Sequence, residues 1–167
     1  MAHHNYLIEG SSGAGKTTVA TELERRGYHV VHGDRVLAYQ GDPETGARVT
    51  PPSGDLDFIN DHHIWDLDQV LAVIADKTHE KTFFCGGSRN WHKFIHLLDG
   101  VFLLELDRQT LERRIDTRVN EWGSEPAERA MIMALHESRK NQPKDGIRID
   151  ATRPLAEVVD TILAHCR

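Results

Sequence analysis

Cysteine is scarce in this chain. Cys85 and Cys166 are the only two in 167 residues. One follows an apolar run and the other is penultimate, so two free thiols in a reducing cytoplasm are expected rather than a disulfide framework. Long apolar runs are missing too, and no stretch approaches the roughly 20 residues that a membrane-spanning helix needs. The start, Met1-Ala2-His3-His4-Asn5, has no basic segment followed by an apolar one, so no secretion signal is expected. Positive charge is not in excess: the formal net charge of −6 gives no electrostatic footprint for nucleic acid. Metal-like Cys/His spacing is also absent. His3-His4 and His62-His63 are adjacent pairs whose side chains point in different directions, and no further Cys/His set matches a zinc site.

The remaining composition, 39% hydrophobic and 28% charged, is that of one globular domain long enough to bury a core without metals or disulfides. Short apolar strands alternate with helical spacing, the pattern of βαβ units around a parallel sheet. Strands are expected at about 5–9, 28–32, 81–85, 101–106 and 146–150. Helices are expected at about 15–26, 66–77, 90–98, 108–121, 125–141 and 154–165, the last with Thr152 as its cap and Pro154 in its first turn. Residues 40–61 resist this pattern, being rich in Gly and Pro, and a loop of that length in a compact domain is usually functional or disordered. A second break, Asn120 to Pro126, separates two charged helices.

The most specific motif is Gly10-Ser11-Ser12-Gly13-Ala14-Gly15-Lys16-Thr17. Two glycines four residues apart, then Lys and a hydroxyl residue, fit the phosphate-binding loop of nucleoside triphosphatases and kinases. The strand Tyr6-Leu7-Ile8 precedes it and helical spacing follows. The glycines let successive N–H groups converge on one centre, and the helix adds its positive end. Lys16 would reach the β- and γ-phosphates, and the Thr17 hydroxyl would hold Mg²⁺.

Parallel sheets present ligands beyond the carboxyl ends of their strands, so each strand end is a candidate site. Strand two ends in His32-Gly33-Asp34-Arg35. Asp34 is the candidate to orient or deprotonate an acceptor hydroxyl, or else it caps a short helix. Arg35 is either a substrate contact or a surface residue. After strand three, Gly86-Gly87 allows close backbone approach to a ligand, and Arg89 is placed to bind an acceptor. Cys85 reads as a small buried residue. Arg114 and Arg118 share a helix face before the Trp122-Gly123 break, where a mobile segment would bring them over a transferring phosphoryl group. Arg113, about 100° away, is expected to face solvent.

With these residues together, the chain resembles the small P-loop kinases of metabolites, the group of shikimate, gluconate and adenylate kinases. His32-Gly33-Asp34 is similar to the Asp-Gly-Asp of gluconate kinases. Cys85-Gly86-Gly87 is similar to the turns of both shikimate and gluconate kinases, and Phe102 to Asp107 followed by Arg114-x-x-x-Arg118 to their fourth strand and lid-leading helix. Ile149 to Pro154 is similar to their adenine-wrapping segment. The resemblance implies a three-layer α/β P-loop fold with a five-stranded parallel sheet in the order 2-3-1-4-5, an acceptor segment at about 35–66 and a lid at about 114–130. It implies that Gly13, Ala14, Gly15, Lys16, Thr17 and Thr18 hold the phosphates and Mg²⁺, that Arg114 and Arg118 act from the lid side, and that Arg153 and Pro154 flank adenine. Two positions depart from the pattern: His32 replaces an acid, and Cys85 stands where many relatives have Asp.

The expected function is transfer of the γ-phosphoryl group of ATP, with Mg²⁺, to a hydroxyl of a small-molecule acceptor. The expected protein is a cytoplasmic monomer or homodimer with no nucleic-acid or membrane partner. The same scaffold also hosts nucleoside, nucleotide, antibiotic and sugar kinases, for which Trp65 and Phe58 are candidate base-stacking surfaces. A non-catalytic nucleotide-binding regulator is the alternative from another class.

Overall fold

The computed structural model describes residues 3–167, so Met1 and Ala2 of the N-terminal reading lie outside the described residues. These form strands β1 (His4–Gly10), β2 (His29–His32), β3 (Ala38–Gln40), β4 (His63–Trp65), β5 (Lys81–Cys85), β6 (Gly100–Glu105) and β7 (Ile147–Asp150). Five of them make one parallel sheet, ordered β2-β5-β1-β6-β7. Numbered along the chain within that sheet, this is the expected 2-3-1-4-5.

A parallel sheet is covered on both faces, which is why its strands read as unbroken apolar runs. In β1, Tyr6 and Ile8 join a core with Phe83, Phe102 and Leu104, covered by helices α1 (Lys16–Arg25) and α7 (Leu155–Ala164). Leu7 points the other way, into a second core with Phe84, Val31, Trp65 and Phe94. Strand parity therefore puts Glu9 on the Leu7 face, at the carboxyl end. Helix α7 presents Val158, Val159 and Ile162 inward, as its spacing predicts.

The Gly/Pro-rich stretch is more ordered than its composition suggested. Strands β3 and β4 pair antiparallel outside the main sheet, with Tyr39 opposite Ile64. Between them, α3 (Leu56–Asp61) is capped by the Asp55 carboxylate, which accepts from Phe58 N. Just before β3, α2 (Gly33–Val36) forms a single turn. Strands of three residues have too little periodicity to be seen in a sequence.

Other boundaries are shorter than expected. The helix expected at 90–98 is two 3₁₀ turns, Trp91–Lys93 and Ile95–Leu97. Helix α4 (Leu67–Ala75) starts on an Asp66 cap. Helix α5 (Arg108–Asp116) stops five residues before the predicted end, and α6 (Pro126–Ser138) three before. At α7 the cap position is Pro154 rather than Thr152, because the Thr152 hydroxyl and N–H both turn back to Asp150. No helix among the described residues is long and apolar enough to cross a membrane.

Candidate phosphate and acceptor site

Gly10 to Lys16 curls between β1 and α1 at the carboxyl end of the sheet. Gly13 and Gly15 have φ of 93° and 101°, a region costly for any residue with a Cβ. These turns aim the N-terminus of α1 into a cleft of about 1030 Å³. A helix N-terminus with free N–H groups favours an anion there. Lys16 Nζ lies 2.5 Å from the Gly10 carbonyl oxygen, to which it donates. Thr17 and Thr18 are exposed along the cleft. The donor set of glycine N–H groups, one ammonium and an exposed hydroxyl fits a nucleoside triphosphate with its Mg²⁺.

Asp34 faces the same cleft from α2. Its Oδ1 accepts from Trp65 Nε1 at 3.1 Å and Gly87 N at 3.3 Å, and pairs with His63 Nε2 at 2.9 Å. Oδ2 has no hydrogen-bond partner among the described residues. Burial would raise its pKa, but the His63 hydrogen bond and the charge of Lys16 outweigh it and hold the carboxyl below the usual Asp value. The side chain is in the first turn of α2 and makes no cap hydrogen bond.

The remaining expected residues are gathered unequally. Arg35, Gly87, Arg89, Arg114, Arg118 and Arg153 line the cleft, whereas Gly86 and Pro154 do not. Arg89 is braced: Nε donates to Asn60 O at 3.0 Å and Nη1 to Asn141 O at 3.2 Å. Desolvation lowers its pKa despite nearby Glu9 and Asp34. Arg114 lies within α5 rather than on a mobile segment. It donates from Nη1 to the Gly13 and Ala14 carbonyls, each at 3.2 Å, and from Nη2 to Ala151 O at 2.8 Å. It therefore clips the phosphate loop to the turn after β7. Arg118 Nη1 joins Ser12 Oγ at 3.0 Å to Trp122 O at 2.6 Å. Arg153 is exposed and paired with Glu157. Arg113 is exposed. Cys85 is buried, and burial pushes its thiol well above the ordinary range. His32 pairs with Glu24 rather than entering the cleft.

Several participants go beyond the sequence reading. His63 and Trp65 fall within the expected acceptor segment, but their place on β4, paired with β3, was not visible in the sequence. Asn141 and Gln142 reach the cleft from beyond α6, and Asn141 Nδ2 donates to Asn60 Oδ1 at 3.1 Å. Ser11 Oγ pairs with His136 Nδ1 at 2.9 Å. Glu9 is 3% exposed beneath the loop, and an acid ending an apolar run of a two-sided sheet was the signal that could have found it.

The fold is that of small P-loop kinases. A gluconokinase from Sinorhizobium meliloti 1021 superimposes with a TM-score of 0.58 at 19% identity, over 96% of this chain and 90% of that one. A shikimate kinase from Bacteroides thetaiotaomicron gives 0.61 at 13%, over 96% and 97%. A deoxyadenosine kinase from M. mycoides with bound dATP gives 0.53 at 14%, over 95% and 97%. In sequence, HPr kinase/phosphorylase of Lacticaseibacillus casei (strain BL23) is 46% identical over 46 residues, 28% of this chain and 14% of that protein. Its counterpart from Pediococcus pentosaceus is 33% identical over 91 residues, 54% of this chain and 29% of that protein. The chain thus spans less than a third of the length of these curated relatives. No family model matches the chain.

Proposed function

We propose that this protein is an ATP- and Mg²⁺-dependent kinase that transfers the γ-phosphoryl group to a hydroxyl of a small polar metabolite. One observation carries the reading: Asp34, fixed through Oδ1 alone, leaves Oδ2 free in the cleft that holds the phosphate loop. ATP with Mg²⁺ would supply the activated phosphoryl group and part of its charge neutralisation. The loop N–H groups and Lys16 bind phosphate oxygens, and Thr17 holds the metal. Asp34 Oδ2 accepts a hydrogen bond from the acceptor hydroxyl. Its depressed pKa keeps it ionised at neutral pH and makes it an orienting group more than a strong base. That suits a loose phosphoryl transition state, which asks for positioning first. Arg114 keeps the loop in register, Arg118 links it to the lid-side turn, and Arg153 edges the adenine side.

The acceptor wall favours a polar, non-aromatic molecule. Trp65 is fully buried, Phe58 is stacked on His62 at 3.8 Å, and neither ring lines the cleft. Asn60, Arg89, Asn141 and Gln142 line that wall instead. The partial likeness to HPr kinase/phosphorylase supports a second reading, in which a protein presents the hydroxyl.

The test is ADP release and product analysis with polyols, hydroxy acids, nucleosides and HPr as acceptors. Asp34→Asn is expected to lower kcat by about 10²–10⁴ while nucleotide affinity changes little. Undiminished turnover in that variant removes Asp34 from the mechanism. Tight nucleotide binding with no phosphorylated product across the panel favours the regulator.

A further inference from the structure

Among the described residues, Glu9 is the one buried carboxylate at this end of the sheet, and the transfer reaction leaves its role open. It is 3% exposed, the next-to-last residue of β1 before the phosphate loop. Oε1 accepts from Gly10 N at 2.8 Å and lies 3.7 Å from Lys16 Nζ. Oε2 is buried and has no hydrogen-bond partner among the described residues. A Cβ built on Gly87 would meet Oε2 at 2.5 Å, so this oxygen is pressed against the glycine turn that also donates to Asp34. An unpartnered buried carboxylate oxygen is expensive, and the ammonium beside Oε1 is what offsets it.

We propose that Glu9 is the resident counter-ion of Lys16, pairing with the ammonium before nucleotide binds and taking up a proton from solvent when nucleotide phosphates draw Lys16 away. The inference rests on the reading of the loop as a nucleotide site. The charged groups around Glu9 are Lys16 from the loop, Arg89 from the segment after β5, and Asp34 from α2. Burial raises the Glu9 pKa, and Lys16 is the first of the opposing influences, followed by Gly10 N–H and Arg89. Arg89 is already committed to the carbonyls of Asn60 and Asn141. Once Lys16 turns to phosphate, its charge is shared with an anion and no equal cation replaces it. Protonation then removes the buried charge, the costly part of an oxygen that has no donor beside it. Glu9 is in this sense a positioning residue: it holds Lys16 against the loop without touching the reacting atoms.

The test is calorimetric titration of a non-hydrolysable ATP analogue with Mg²⁺ into the full chain, at neutral pH in two buffers of different ionisation enthalpy. Protonation of the analogue itself contributes equally to the wild type and to Glu9→Gln, so their difference isolates Glu9. The wild type is expected to take up as much as about one proton more per nucleotide than the variant. Its affinity should weaken by up to about tenfold per pH unit rise relative to Glu9→Gln. Equal proton uptake in the two proteins overturns the proposal while leaving the nucleotide site standing. Absence of binding heat in the wild type overturns the nucleotide site itself and this inference with it. Should Glu9→Gln not fold, infrared difference spectra of the wild type decide. A protonated carboxyl band arising with the analogue supports the proposal, and no such band overturns it.

Discussion

Single side chains at the strand ends carry opposite charge economies. Asp34 has a lowered pKa through His63 and Lys16, whereas Glu9 has a raised one through burial. For Asp34 the folded state binds its proton less tightly than the unfolded chain does. It therefore contributes stability above the ordinary Asp pKa, lost as pH falls through the depressed value, and Asp34→Asn should flatten that acid limb in urea unfolding. For Glu9 the sign reverses: stability is lost as pH rises from the ordinary Glu value through the raised one. Gly87 permits both arrangements by having no side chain, since a Cβ there would strike Glu9 Oε2. Gly87→Ala should lower unfolding stability by about 1–3 kcal/mol and disturb the Gly87 N–H contact to Asp34. An unchanged unfolding midpoint would mean that the turn can yield.

Among the elements, α5 shows how a helix can act on a loop distant in sequence. Leu111 and Ile115 are buried in the core, which fixes the rotation of α5 and delivers Arg114 to the carbonyls of Gly13, Ala14 and Ala151. Arg114→Ala removes two charge-assisted hydrogen bonds from the loop and a third from the turn after β7. Nucleotide affinity is expected to fall by about tenfold or more with the fold intact, in a fluorescent-nucleotide titration monitored beside far-UV circular dichroism. Between α5 and α6 the chain turns through Asn120 and Gly123, both at positive φ. An Asp116–Arg129 ion pair joins the two helices across that break. The turn between α5 and α6 is thus tied at its base to Arg118 and at its shoulders to this pair.

At the scale of the whole molecule, two cores lie on opposite faces of one sheet and share β1 and β5. Neither face can open without exposing strands that serve the other. Denaturant unfolding should therefore appear as one transition, coincident in near- and far-UV circular dichroism. A non-hydrolysable ATP analogue with Mg²⁺ should raise its midpoint by mass action, by about 2.7 kcal/mol at a hundredfold excess over Kd. Two separate transitions would show that the faces fold independently.

The phosphate loop, the five sheet strands and their order were legible because they rest on local facts: glycines at fixed spacing, apolar runs of strand length, and a family pattern those residues carry. Lys16, Thr17, Asp34 and the arginines were locatable for the same reason, since strand ends in a parallel sheet converge on one edge. What the sequence could not reveal depends on contacts between distant segments. The β3–β4 hairpin has three residues a side, too few for a period, yet it supplies His63 and Trp65 to Asp34. Arg114 read as a swinging cation because its partners are backbone carbonyls about a hundred residues away, which carry no sequence signal. Residue type and spacing determined which groups gather around the phosphate loop. Tertiary packing decided which were free to bind and which were already engaged, because a side chain's hydrogen bonds are fixed by neighbours in space.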